Sequence, residues 1–330
     1  MRTRHELIAL IAVVLAHLVA CAPGHLPVDE SPIYDLDELS IETHTYSSYT
    51  PRGILGLGSP GAPVELELDV YAPPPAGTRL RPAVVFLHGG AFVVGSRRGP
   101  ATVHLAQQLA IRGFVVASID YRLNAVRDLS LVKAGYAATQ DARAAVRWVR
   151  ANAEQLGVDA DYIALGGNSA GAIAALHGAC LRPNEPILDR LEMLDDIYGA
   201  LDACGEFPRT SSRVYAAISL GGGVLDTNIV DPGDVPAIIY AHGLEDDWCP
   251  YFTGIPSVLS LPIPKAMQLP DLYGPGVWGK RDYPASPIIY GLDLDETTHE
   301  LLISDAGTTQ RSADRVVHHI ARSLIAAAQQ

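Results

Sequence analysis

Residues 166–171 read Gly-Gly-Asn-Ser-Ala-Gly, which puts Ser169 at the centre of a G-x-S-x-G. A serine hydroxyl becomes a nucleophile when a base takes its proton and a carboxylate orients that base. The small flanking residues suit a tight, crowded turn that leaves the hydroxyl outward. The local pattern agrees: an apolar strand, Tyr162–Leu165, runs into the turn and a small-residue helix, Ala170–Ala179, leaves it. A helix starting there aims backbone N–H groups at any anion formed beside the serine. The competing readings are a purely structural turn and a phosphate loop. A phosphate loop asks for a lysine or a G-x-G-x-x-G, and this segment has neither. A second piece, His88-Gly89-Gly90-Ala91-Phe92, follows the apolar run Ala83–Leu87. Acyl transfer passes through an oxyanion, and each fixed N–H donor to it is worth about 3 kcal/mol. Residues with almost no side chain let the backbone reach that oxygen.

These pieces need a frame. Val64–Tyr71 alternates apolar with polar residues and predicts an antiparallel edge strand. Short apolar runs at 83–87, 114–119, 162–165, 214–218 and 235–240 predict buried strands, with a weaker one at 287–290. Helices are expected over 101–112, 137–156, 170–179 and from Ser312 to the end. The second carries Ala145, Val149 and Leu156 on one stripe and Arg143, Arg147 and Arg150 on the other side; the last carries Val316, Ile320 and Leu324. Alternating strands and helices imply a mostly parallel sheet covered on both faces, with chemistry on loops at the carboxyl ends of strands. Ser169 and the His88 loop both fall directly after a strand.

The segments "HGGAFVVGS", "DYRL" and "DARAAVRWVRANAEQLGVDADYIALGGNSAG" resemble the carboxylesterase and hormone-sensitive-lipase-like branch of the α/β-hydrolase fold. The resemblance covers roughly residues 64–180 through these motifs and the rest by order alone. It implies an eight-stranded, mostly parallel sheet with helices on both faces. It implies oxyanion donors at the N–H groups of Gly90, Ala91 and Ala170. The family's HGGG reads HGGA here, a mild departure if Ala91 keeps a negative φ. It makes His88 a structural residue beneath the loop. His242-Gly243-Leu244-Glu245-Asp246-Asp247-Trp248-Cys249-Pro250 resembles the family's H-G-x-x-D-x-x-V-P, with Cys249 in place of valine, so Asp246 matches the orienting acid. Glu245 and Asp247 flank it, and Asp293 or Asp295 is the substitute if Asp246 does not serve. His299, between the last strand and the final helix, takes the place of the base; His318 and His319 lie within that helix. The expected reaction is hydrolysis of a carboxylic ester, small-molecule or polymeric, through an acyl-enzyme on Ser169. It calls for no cofactor and no metal. A binding protein on the same fold, and an amidase or peptidase, are the competing functions.

The bulk properties bound the rest. The chain has 330 residues, 48% hydrophobic, enough for one large domain. Its formal net charge of −13 makes nucleic acid an unsuitable partner. A basic head, Met1–Arg4, precedes an apolar run from Leu7 to Ala20 that is short for a membrane span and shaped like a secretory signal. Its end, Leu18-Val19-Ala20-Cys21, resembles the lipobox of bacterial lipoproteins, which would remove residues 1–20 and attach lipid, and hence a membrane, at Cys21. The protein is therefore expected as an exported cell-envelope lipoprotein, otherwise secreted. Residues 21–62 read as a linker and 63–330 as the hydrolase domain. Export permits disulfides, and Cys180 with Cys204 is the preferred pair, against three buried thiols. Residues 182–212 are an insertion that either packs plainly or forms a small helical lid, packing being preferred. Residues 252–287 form a long loop with Tyr273, Trp278 and Tyr283. The oligomeric state is not set by the sequence.

Overall fold

The protein is described from a computed structural model, which covers residues 27–51, 61–123, 130–182, 194, 197–230, 236–254, 272–278, 289–294 and 309–329. Eight strands form one sheet: β1 Ser40–Tyr49, β2 Val64–Ala72, β3 Arg81–Leu87, β4 Val115–Ile119, β5 Val158–Asn168, β6 Ala216–Leu220, β7 Ala237–Gly243 and, last in the chain, β10 Ile289–Leu294. Their spatial order is β1-β2-β4-β3-β5-β6-β7-β10. β1 and β2 pair antiparallel, β2 pairs antiparallel with β4, and from β4 to β10 every pairing is parallel. Between β7 and β10 a small antiparallel ribbon, β8 Thr253–Gly254 with β9 Leu272–Tyr273, stands apart from the sheet.

β3 shows why the sheet needs cover on both sides. All seven of its residues are buried. Ala83, Val85 and Leu87 point into one core, and Val84 and Phe86 into the other, as the period of two dictates. The first core is closed by α2, Leu131–Ala151, through Ala134, Ala138, Ala142, Ala145 and Val149, and by α3, Ala170–Cys180, through Ala170, Ile173 and Ala174. The second is closed by α1, Pro100–Ala110, through Leu105 and Leu109, and by α4, Thr309–Ala327, through Val316, Ile320 and Leu324. Each large apolar side chain buried this way contributes about 1.5–3 kcal/mol. The small residues of α3 let it lie close on β5. No helix among the described residues is long and apolar enough to cross a membrane.

Four expectations need correction. The supposed linker holds β1, so the domain begins well before residue 63. Its first described residues are tied down as well, with Asp29 N–H donating to Arg112 O and Ile33 N–H to Ile111 O. β2 is therefore not the edge strand; β1 is. The arginine side of α2 is not a solvated face. Arg143 and Arg147 are buried and pair with Asp202, and Arg143 also donates to Gly178 O. Finally, Cys180 and Cys204 are separate thiols. Cys180 packs with Leu181, Leu194 and Leu201, while Cys204 Sγ sits on Gln140 O of α2 at 3.2 Å, its pKa raised to about 12 by burial and the Asp141 charge. Within the insertion, Leu188 and Leu191 lie outside the described residues, Leu194 and Leu201 are buried and Ile197 is half-buried. Gln140 Nε2 donates to Gly199 O and Ala200 O, which docks this segment on α2.

Candidate active site

β5 ends at Asn168, α3 starts at Ala170, and Ser169 is the single residue between them. Its backbone has φ +54° and ψ −120°, a region that costs a non-glycine residue about 1–3 kcal/mol. Ser169 N–H donates to Leu220 O of β6 and its carbonyl accepts from Ile173 N–H, so both sides of the strained residue are fixed. The two glycines of the motif answer to space. A methyl on Gly167 would lie inside contact distance of the Gly171 backbone, and one on Gly171 inside that of the Leu87 and His88 carbonyls. The elbow can form only where α3 passes this close to the end of β3. Ala170, as the first helical residue, keeps its N–H outside the intrahelical ladder.

The loop after β3 lies directly against the elbow. A methyl on Gly89 would stand 3.3 Å from the Ser169 Cβ. Gly90, Ala91 and Phe92 have φ +116°, +55° and +60°, so the chain coils back at once, and the Gly90 carbonyl accepts from the N–H groups of Val93 and Val94 at 2.9 and 3.1 Å. Ala91 thus departs from the family's glycine more severely than expected, since its φ is positive. His88 is buried. It stacks on Tyr121 with ring centroids 4.3 Å apart, its Nδ1–H donates to Gly89 O, and Tyr121 Oη–H donates to His88 O at 2.8 Å. Burial lowers its pKa and keeps it neutral near pH 7. It supports the loop from below, as the resemblance implies.

Asp246 follows β7 and is buried. Its Oδ1 accepts from the N–H groups of Trp248 and Cys249, both at 2.8 Å. Its Oδ2 lies 3.4 Å from His242 Nε2, and that same nitrogen donates to Cys249 O at 2.8 Å. Glu245 and Asp247 are exposed. The Cys249 thiol hydrogen-bonds the Ser169 side chain while burial and the Asp246 charge push its pKa well up. Cys249 thus links Ser169 with Asp246, its thiol on the serine and its N–H on the carboxylate. Asp293 is engaged elsewhere: its Oδ1 accepts from Tyr251 Oη–H at 2.7 Å and Tyr240 Oη–H at 3.1 Å. Burial and the Asp293 carboxylate together raise Tyr251 to about 12.

His299, Asp295, Tyr283 and Cys21 lie outside the described residues. β10 runs parallel to β7 with Leu294 beside Gly243, so the chain leaves β10 at the edge that bears Asp246, and His299 follows in sequence. His318 is exposed near Glu30, and His319 is half-buried on α4. Trp278 is buried, edge-on to Tyr240, with Nε1–H donating to Tyr273 O, so it anchors the long loop. Sequence reasoning missed two contacts. One is Cys249 on Ser169, for which the departure from valine was the available signal. The other is the tie between the loop's exit and the sheet, made by Arg97. Its signal was the trio Glu65, Glu67 and Asp69, whose alternation reads as a solvent face although Asp69 is buried.

The BD-FAE family model matches residues 68–203. Juvenile hormone esterase of Heliothis virescens is 40% identical over 101 residues, 30% of this chain and 18% of that protein. Carboxylesterase NlhH of Mycobacterium tuberculosis is 36% identical over 153 residues, 46% of this chain and 42% of its own length. Esterase LipC of Mycobacterium tuberculosis is 36% identical over 120 residues, 36% of this chain and 28% of its own length. The chain thus spans less than half the length of these relatives. Among solved structures, Thermogutta terrifontis esterase 2 superimposes with a TM-score of 0.57 at 20% identity, covering 89% of this chain and 96% of that one. The chain has the α/β-hydrolase fold, and its matched segment is similar in sequence to these esterases.

Proposed function

We propose that the protein hydrolyses carboxylic esters with Ser169 as nucleophile, His299 as base and Asp246 as orienting acid. The observation that carries this reading is the strained Ser169 elbow lying against the Gly89–Ala91 loop. Strain of this kind persists where the surroundings over-determine it, and here the Ser169 Cβ stands beside the loop, 3.3 Å from where a methyl on Gly89 would lie. His299 takes the hydroxyl proton as Oγ attacks the carbonyl carbon. The oxyanion rests on N–H donors from Gly90, Ala91 and Ala170. His299 then gives the proton to the leaving alkoxide, and water repeats the two steps to release the acid. Asp246 holds the imidazole tautomer and favours the imidazolium.

A fluorophosphonate probe tests this. The wild-type chain should be labelled once, and Ser169→Ala not at all. Turnover of p-nitrophenyl esters should fall at least about 10³-fold in Ser169→Ala and His299→Ala. Folded wild-type protein that neither labels nor turns over would leave the fold as a ligand-binding one. The chain's head supports export with lipid on Cys21. Intact mass of membrane-extracted protein should show a diacylglyceryl-modified chain beginning at Cys21, and an unmodified chain beginning at Met1 would overturn that.

A further inference from the structure

The loop that would bear the oxyanion donors takes positive φ at Gly90, Ala91, Phe92 and Gly95, which is strained at Ala91 and Phe92. Its entry is held by the stack of His88 on Tyr121. Its exit is held by Arg97, which is buried. Arg97 N–H donates to Asp120 Oδ1 at 2.7 Å and its carbonyl accepts from Ser118 Oγ–H at 2.7 Å, both at the end of β4. Its guanidinium spends each nitrogen on a different carboxylate: Nε on Asp69 at 3.0 Å, Nη2 on Glu67 at 2.7 Å and Nη1 on Asp120. The planar fork matches three acceptors fixed on two strands, a geometry a lysine ammonium does not reproduce. Between Arg97 and Gly90 the chain is too tightly folded to absorb a shift. A methyl on Gly90 would run into Val94 O, and one on Gly95 into the His88 ring and Gly89 O. A displacement at Arg97 therefore reaches the backbone of Gly90 and Ala91.

We infer that Arg97 is a positioning residue, setting the aim of the Gly90 and Ala91 N–H groups at the oxyanion from the far end of their loop. This rests on the ester-hydrolase reading above. Buried ion pairs are weak evidence for stability, because desolvation offsets the attraction. A cation satisfied at all three nitrogens, next to a strained loop, fits a role in fixing geometry.

The test uses the full chain, with active sites counted by fluorophosphonate titration so that unfolded protein drops out. Arg97→Met should lower kcat per titrated site about 10- to 100-fold, a fraction of the loss seen when an oxyanion donor is removed outright. KM should stay within about twofold, and affinity for an aryl trifluoromethyl ketone, which forms a tetrahedral adduct, should fall in parallel with kcat. Arg97→Lys should recover part of the loss. Arg98→Ala, which removes an exposed neighbour on Asp69, should leave kcat within about twofold. If Arg97→Met does not fold, Glu67→Ala gives the same readout by removing one arm of the fork. Unchanged kcat per site with a lowered melting temperature, or a raised KM with unchanged kcat, overturns the inference while leaving the hydrolase intact. A wild-type chain without turnover overturns the hydrolase reading, and this one with it.

Discussion

Cys249 stands where the resembling family has valine; its thiol meets the Ser169 side chain and its backbone N–H donates to the Asp246 carboxylate. Two effects compete at its sulfur. The Ser169 hydrogen bond favours the thiolate, but burial and the neighbouring Asp246 charge outweigh it and hold the proton on. The thiol is thus an inert packing group, so iodoacetamide at pH 8 should leave Cys249 unmodified in the folded chain, by peptide mass mapping, and activity intact. A thiol hydrogen bond is worth under about 1 kcal/mol, so Cys249→Val should keep kcat within about fivefold. The sequence displayed the substitution but not the contact, because Ser169 and Cys249 meet only once β5 and β7 share a sheet. Ala91 teaches the converse. Its φ of +55° favours glycine, and relief of that strain exceeds the added chain entropy. Ala91→Gly should therefore raise stability by about 0.5 kcal/mol, read by denaturant unfolding.

At the scale of elements, the Ser169 elbow depends on how closely α3 crosses the end of β3. The alternation of short apolar runs with helical periods made the parallel strands legible, and with them the loops where chemistry sits. Polar segments were harder. β1 carries His44, Thr45, Ser47 and Ser48 and passed for a linker, and α2 hides arginines whose charge implied water. Pairing energies of that kind come from partners about sixty residues away, which no local pattern contains. The elbow itself is the more local device. Gly171→Ala sets a methyl against the carbonyls of Leu87 and His88, and neither backbone can yield without moving Ser169 or the loop. We expect it to cost about 1–3 kcal/mol of stability and, in the fraction that folds, to lower kcat more than it raises KM. A variant with wild-type kcat would show that the crossing has slack.

Across the whole molecule, the carboxylate of Asp69 joins pieces that are distant in sequence. It accepts from Thr43 on β1, from Arg97 at the loop exit and from Arg98 beside it. Burial alone would raise its pKa; the hydrogen bonds from Arg98, Thr43 and Arg97 overcome this and hold it at about 2. Asp202, between Arg143 and Arg147, is lowered for the same reason, against the same opposition from burial. A depressed folded-state pKa means that the unfolded chain binds the proton more readily. These groups therefore stabilise fully above the unfolded value near 4, and their contribution fades as pH falls from about 4 toward 2. Stability should be flat in this respect from neutral pH down to about 5 and then drop. Asp69→Asn should be less stable at pH 7 but show a shallower fall between pH 4 and 2, since the group that takes up the proton is gone. Urea unfolding at a series of pH values measures both slopes. Parallel slopes for the two proteins would mean that Asp69 does not link these elements through its charge.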